Sequence, residues 1–399
     1  MQLFRRRVYA DAAAATPLSK TAQKALTRLL YIYGNPGGLH REALFAHNAL
    51  EEAREQIAEA IGAHPDEIIF TSGGTEANNM ALGGAVSALL REHEEKVHVI
   101  TTAIEHPSVL EPLHAMQEEG HIELTELRVE HDGRISLKEL KETIRKNTAL
   151  ISVQMVNSEI GTIQDIKEIA KIVRHERRER NATELPILFH TDASQAPLWI
   201  KLFVDSLGVD LMTLDGQKIM GPKGVGALYV RRGTKLMPVV FGGGQEKGLR
   251  SGTENVPLIG SFAAALADAQ KHAEKNAARI ERVRDLLVQE IKKNIQTAKF
   301  NGAESEWRAA NNCSVRIPGL LGDMAVLALD ARGVAASTRS ACSADDETPS
   351  HVIRALGNSG EEARETIRIT FLPNARSRDA RRIAHALKSV VQRYGSVIE

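Results

Sequence analysis

Cysteine is scarce in this chain: Cys313 and Cys342 are the two thiols among 399 residues. Two thiols cannot build a disulfide framework, and neither stands in a Cys-x-x-Cys or paired-histidine spacing that would hold zinc. An excess of one charge is missing as well, because 51 Lys and Arg balance 51 Asp and Glu. No global field therefore draws the chain to nucleic acid or to an anionic membrane, and direct nucleic-acid binding is not expected. Long apolar runs are absent too. None approaches the roughly 20 residues that cross a bilayer, and the run from Met1 to Arg7 meets Asp11 before any credible signal-peptide core. These absences predict a soluble, cytoplasmic chain with no membrane partner. With 43% hydrophobic and 26% charged residues, the length suffices for about two to three domain-sized cores.

From Glu67 to about Val230, short β-branched or apolar runs alternate with helical patterns. The runs are Ile68–Phe70, Val97–Ile100, Leu150–Val153, Pro186–Phe189 and Val225–Tyr229. Such alternation predicts an α/β fold, a mostly parallel sheet covered by helices on both faces. Ile166–Val173 carries apolar residues at helical spacing, and the charged tract Arg174–Arg180 continues it, either as a solvated helix end or as a nucleic-acid patch. After Gly252 the texture changes. A long helical stretch from about Pro257 to Ile295 precedes a strand at Cys313–Ile317, a helix from Asp323 through Leu329, and further signals to Tyr394, which together read as a smaller α+β domain. No repeat of 20 to 50 residues and no low-complexity linker separates the two parts.

Several features carry chemistry. The strand ending at Phe70 runs into TSGGTEAN (Thr71–Asn78), where glycines let backbone N–H groups approach an anion at a helix N-terminus. Alone, such a turn is as consistent with simple chain reversal. In PILFHTDASQ (Pro186–Gln195), Asp192 stands where an apolar strand ends, the ligand-binding edge of open α/β sheets. Lys218 follows 26 residues later (218 − 192) before a glycine-rich turn. A partly desolvated lysine can form a Schiff base, and a carboxylate can hold a pyridinium nitrogen protonated; a solvated surface lysine is the plain alternative. Cys342 sits in a small, polar stretch (Ala335–Pro349) that reads as an exposed loop, where a thiolate is available. Cys313, set in an apolar strand, reads as an inert small hydrophobe.

Taken together these motifs resemble the cysteine desulfurases of the class V aminotransferase family. The resemblance runs nearly end to end: Tyr9-Ala-Asp11 with Thr16-Pro17, YGNP (Tyr33–Pro36), TSGGTE (Thr71–Glu76), Glu105-His106, NSEIG (Asn157–Gly161), DASQ (Asp192–Gln195), Lys218, RSGT (Arg250–Thr253), Ser340-Ala-Cys342 and Arg368. It implies the fold type I architecture of pyridoxal-phosphate-dependent transferases. A large cofactor-binding domain would span residues 15–256, with residues 1–14 and 257–399 in a small domain carrying the cysteine loop.

By the same resemblance, Lys218 carries pyridoxal 5′-phosphate, Asp192 pairs with its pyridine nitrogen, and Gln195 and Asn157 bond its phenolic oxygen side. His106 stacks on the ring and handles protons. Gly74, Thr75 and Gln217 hold the phosphate, joined by Thr253 from a second subunit, which implies a homodimer with composite sites. Arg368 clamps the substrate carboxylate with help from Asn35. L-cysteine would then give alanine and a persulfide on Cys342, for delivery to an acceptor protein such as an iron–sulfur scaffold or a tRNA-thiolation protein. The spacing from Cys342 to Pro349 resembles the long-loop branch. A selenocysteine lyase or an aminotransferase on the same fold is the alternative, although an aminotransferase would not need Cys342. Two departures stand out. Asp215 and Gln217 occupy positions where the family commonly has Ser or Thr and His, and Asp215, an anion near a phosphate, should weaken binding unless it points away or bonds elsewhere. The run Gly37–His40 also differs from the usual pattern.

Overall fold

Seven strands pair into one sheet, five of them at the apolar runs named above. In the computed structural model, which describes residues 7–92, 96–181, 185–338 and 348–395, the elements follow in chain order. The first are β1 (Val8–Tyr9), α1 (Lys20–Leu29), α2 (Arg41–Ile61), β2 (Ile68–Thr71), α3 (Gly74–Glu92), β3 (Val97–Thr102), α4 (Pro107–Glu118), β4 (Ile122–Leu127) and α5 (Leu137–Thr143). Next come β5 (Thr148–Ser152), α6 (Ile166–Glu179), β6 (Leu188–Asp192), α7 (Val204–Leu207), β7 (Leu211–Asp215) and β8 (Gly226–Val230). The remainder are α8 (Val256–Asn294), β9 (Lys299–Asn301), β10 (Asn312–Arg316), α9 (Gly322–Asp330), β11 (Val334–Ala335), α10 (His351–Ala355), α11 (Gly360–Arg364), β12 (Thr366–Thr370) and α12 (Ser377–Tyr394).

The large sheet has the order β2-β8-β7-β6-β5-β3-β4. Strands β4, β3, β5, β6 and β7 run parallel, whereas β8 is antiparallel to both β7 and β2. Strands β3, β5, β7 and β8 are buried along their whole length, as helices on both faces require. The carboxyl ends of β2, β3, β5, β6 and β7 consequently share one edge, and the chain turns there into Gly74, Glu105, Gln154, Ala193 and Gly216. The predicted strand at Pro186–Phe189 lies two residues later, at Leu188–Asp192. Pro186 has no N–H for the ladder, and Ile187 O is taken by Nε of Arg177 at 2.8 Å.

The charged tract after Val173 stays helical to Glu179, and its arginines tie sheet edges together. Arg177 pairs with buried Asp210, and Arg180 Nη1 donates to Thr148 O at 2.8 Å. Two arginines of the tract are thus engaged within the fold.

Helix α8 is capped by Asn255, whose Oδ1 accepts from Leu258 N at 3.2 Å, and it packs against α1, α2 and α12. Beyond it, β9, β10 and β12 form an antiparallel sheet, and β1 pairs with β11 in parallel. Among the described residues no helix is long and apolar enough to cross a membrane. Nor does any group of three or more His, Cys, Asp and Glu residues there suit a metal ion.

Candidate active site

The shared carboxyl edge of the sheet opens into a cleft with about 650 Å³ of atom-free space. The chain brings Gly74, Thr75, His106, Asp192, Gln195, Asp215, Gln217, Lys218 and Arg368 together on its walls. They come from four turns at this sheet edge and from strand β12, so the fold rather than sequence proximity assembles them.

The cradle at Gly74 forms because α3 starts directly after β2, leaving first-turn N–H groups without helical partners and facing the cleft. Glu76 accepts from Ser72 N at 2.9 Å and pairs with Arg250 Nε at 2.8 Å, which fixes that first turn. Gly226 makes the approach possible. A Cβ there would lie 2.6 Å from Leu214 O and 2.9 Å from the Gly73 backbone, so only glycine lets the turn rest against β7 and β8.

Asp192, at the end of β6, is held at both oxygens. Oδ1 accepts from Ser194 N at 2.9 Å and Oδ2 from Asn78 Nδ2 at 2.8 Å. Lys218 follows β7 in a short 3-10 turn, and its ammonium donates to Ala13 O at 3.0 Å and Ala14 O at 2.6 Å. His106 caps α4, with Nδ1 accepting from Ser108 N at 3.1 Å and lying 2.8 Å from Ser108 Oγ. Burial holds the His106 ring below its usual pKa, against the opposing pull of Asp192. One residue earlier, Glu105 is fully buried at the tip of β3, and burial raises its carboxyl to about 8. It accepts from Thr102 Oγ1 at 2.7 Å and Gln154 N at 2.9 Å. Gln195 donates to Ala13 O at 2.9 Å.

Arg368 lies in β12, only 1% exposed. Its Nη2 donates to Asp11 Oδ1 at 2.9 Å, its Nη1 reaches Ser158 O at 3.4 Å, and its Nε has no partner. Four buried side-chain polar atoms lack a hydrogen bond among the described residues, and three of them, Asn78 Oδ1, Ser194 Oγ and Arg368 Nε, belong to residues lining this cleft. Buried polar groups are normally satisfied. Their convergence on one cleft, together with a lysine, a carboxylate and a helix N-terminus, fits a bound anionic group with polar substituents. The residues present therefore suit pyridoxal phosphate.

Asp215 does not point away from the cleft; it bonds elsewhere. Oδ1 accepts from Gln217 N at 3.1 Å and Oδ2 from Gln217 Nε2 at 3.3 Å, so it caps the turn that presents Lys218. Burial raises its pKa, against the opposing pull of Lys218.

Three expected residues are not brought to this cleft by the same chain. Asn157 uses Oδ1 to accept from Glu159 N at 2.8 Å and Ile160 N at 2.9 Å, and it donates to Ile104 O at 2.9 Å. It braces two loops instead of reaching the cleft wall. Asn35 is exposed and accepts from Gly37 N at 3.0 Å, which holds it to its own turn beside a different surface hollow. Thr253 is exposed on the chain that carries it. Cys342 lies outside the described residues. Cys313 is wholly buried, and burial raises its thiol to about 11.

Sequence reasoning assigned no role of their own to Asn78 and Asp11, although both stand in quoted motifs, and did not single out Ser108; these three hold the residues it found. Asn78 had one available signal: it stands four residues after Gly74, so a helix beginning at Gly74 places both on one face.

The aminotransferase class-V family profile matches residues 8–383. The chain belongs to that family. Among class-V relatives, the cysteine desulfurase IscS of Dictyoglomus turgidum is 43% identical over 369 residues, covering 92% of this chain and 90% of the relative. A solved NifS-like protein superimposes with a TM-score of 0.88 at 30% identity, covering 97% of this chain and 99% of its own. A structure described as SspA in complex with cysteine gives a TM-score of 0.75 at 35% identity, over 92% of this chain and 99% of its own. The fold is that of these class-V enzymes, an α/β architecture with a mostly parallel central sheet, in agreement with the fold type I expectation.

Proposed function

We infer that this chain is a pyridoxal-phosphate-dependent cysteine desulfurase. The observation that carries the reading is the placement of Lys218, Asp192, His106 and Arg368 around one cleft, in a chain whose relatives bear that name. When bound, the cofactor supplies an electron sink for the α-carbon of an amino acid.

The chain's own residues do the rest. Lys218 holds the cofactor and then takes the α-proton at Nζ. Asp192, already fixed at both oxygens, keeps the pyridine nitrogen protonated. The first turn of α3 at Gly74 and Thr75 receives the phosphate, and Gln217 adds an amide. Arg368 orients the substrate by its carboxylate through the unpartnered Nε edge. His106 covers the ring. The Cys342 thiolate attacks the sulfur of L-cysteine, the C–S bond breaks with its electron pair going to the β-carbon, which takes the proton of the substrate thiol, and a Cys342 persulfide anion and L-alanine result once the α-proton is returned to the α-carbon.

We place Thr253 at the phosphate of a second copy, making the active form a homodimer, because Thr253 is exposed on its own chain. Exposed Tyr31, Tyr33, Leu39 and Phe241 supply apolar surface suited to burial between copies. The acceptor belongs to the same reading: an iron–sulfur scaffold or a tRNA-thiolation protein, with the reaction in the cytoplasm. So do the units 15–256 and 1–14 with 257–399, supported by a large sheet drawn wholly from residues 68–230.

The test is alanine and sulfide release from L-cysteine by purified, cofactor-loaded protein with a reductant. Equal amounts are expected from wild type and none from Cys342→Ala or Lys218→Ala. Full alanine production by Cys342→Ala would overturn the persulfide route.

A further inference from the structure

The cofactor carboxylate and the ring histidine are joined by an unbroken line of hydrogen bonds. Asn78, on α3, uses Nδ2 twice: one hydrogen goes to Asp192 Oδ2 at 2.8 Å, the other to Ser108 Oγ at 2.8 Å. Ser108 Oγ lies in turn 2.8 Å from His106 Nδ1, and Ser108 N donates to the same nitrogen at 3.1 Å. Asn78 is 1% exposed and Ser108 is buried, so bulk water does not compete for these contacts.

The directions in this line are not free. An amide N–H can only donate, so Asn78 Nδ2 makes Ser108 Oγ an acceptor on that side and leaves its hydroxyl hydrogen available for His106. A backbone N–H can also only donate, so Ser108 N requires a lone pair on Nδ1. Two donors aimed at Nδ1 leave no room for a proton there, and the neutral ring must carry its hydrogen on Nε2. Reversing Asn78 would set its Oδ1 against the Asp192 carboxylate, so Asp192 is what keeps the amide, and through it the hydroxyl, in this sense.

We propose that Asn78 and Ser108 are positioning residues: they couple Asp192 to His106 and lock His106 as the Nε2–H tautomer. His106 then offers a hydrogen from Nε2 toward whatever stands over it, and becomes a cation only after the Ser108 contacts open. The charged groups facing the ring are Asp192 from β6, Asp215 and Lys218 from the end of β7, and Glu159 from the loop after β5. The carboxylates favour a cationic ring, but burial and the two donors at Nδ1 oppose it. The proposal deepens the desulfurase reading only in placing His106 at the cofactor; the hydrogen-bond line exists in the protein itself.

The test is long-range ¹H–¹⁵N correlation on protein carrying ¹⁵N-histidine, with and without cofactor, using His106→Gln to identify the signal. At pH 7.5 wild type should show the neutral Nε2–H pattern, titrating below the ordinary histidine range. Ser108→Ala and Asn78→Ala should each move that midpoint upward by roughly half a unit to one unit, the weight of one lost hydrogen bond. Ser108→Thr, which keeps the hydroxyl, should restore the wild-type value. An Nδ1–H tautomer or an imidazolium in wild type would overturn the proposal without needing any variant to fold. So would unchanged midpoints in Ser108→Ala and Asn78→Ala. Failure of the cofactor reading would appear separately, as lack of visible absorbance after addition of pyridoxal phosphate.

Discussion

Arg368 and Asp11 form an ion pair at 2.9 Å inside the cleft wall, the guanidinium being 1% exposed. An arginine so buried needs a counter-charge, and Asp11 provides it while leaving Nε unpaired. The carboxylate thus fixes the arginine in place without occupying Nε.

Removing that counter-charge should be costly. Asp11→Ala leaves a buried cation alone, and about 3 kcal/mol of unfolding free energy should be lost. Asp11→Asn, which keeps an acceptor, should lose about 1 kcal/mol. Urea unfolding measures both. With orientation of the guanidinium lost, KM for L-cysteine should rise several-fold in Asp11→Asn while kcat changes less. Equal stability of Asp11→Ala and wild type would show that Arg368 needs no partner.

Gly226→Ala should damage the cradle rather than the lysine. The added methyl meets Leu214 O and the Gly73 backbone, neither of which can swing aside, so the Gly73–Gly74 turn must move. Overpacking of this kind costs about 1–3 kcal/mol. Weaker retention of pyridoxal phosphate on dialysis is expected, while borohydride still traps the cofactor on Lys218. A variant that holds the cofactor as tightly as wild type would mean that the turn does not carry the phosphate.

Acid should act partly through His190. This ring is fully buried between Ser152 Oγ at 2.8 Å and Thr213 Oγ1 at 3.1 Å, and burial lowers its pKa from 6.5 to about 4. A histidine depressed on folding binds fewer protons folded than unfolded. Its contribution is therefore complete above pH 6.5 and is lost as pH falls toward 4, up to about 3 kcal/mol. His190→Asn should be less stable than wild type at pH 7.5, and the gap should narrow at pH 4.5. A gap independent of pH in thermal melts at the two values would refute the assignment.

The sequence was most legible where a residue's role depends on its own neighbours. Asp192 at the end of an apolar run, Lys218 before a glycine turn and the glycines at Thr71–Asn78 are local patterns, and the sheet edge follows from alternation alone. Strand β7 was not among the apolar runs, because its central Met-Thr pair blunts the apolar signal. The partners that hold the site were out of reach: Asn78 meets Asp192 across 114 positions and Asp11 meets Arg368 across 357. No period or motif encodes such a pairing. Asn157 and Asn35 went the other way, since a side-chain amide near a turn satisfies the nearest backbone groups first.

The 357-residue span between Asp11 and Arg368 also orders events in time. Synthesis proceeds from the N-terminus, so residues 68–230 can assemble the large sheet, with its Gly74 cradle and Lys218, before β12 has been made. A nascent chain at that stage has the Gly74 turn and Lys218 but lacks Arg368, the residue proposed above for the substrate carboxylate. Purchase on a substrate carboxylate would thus be the last property the growing molecule acquires.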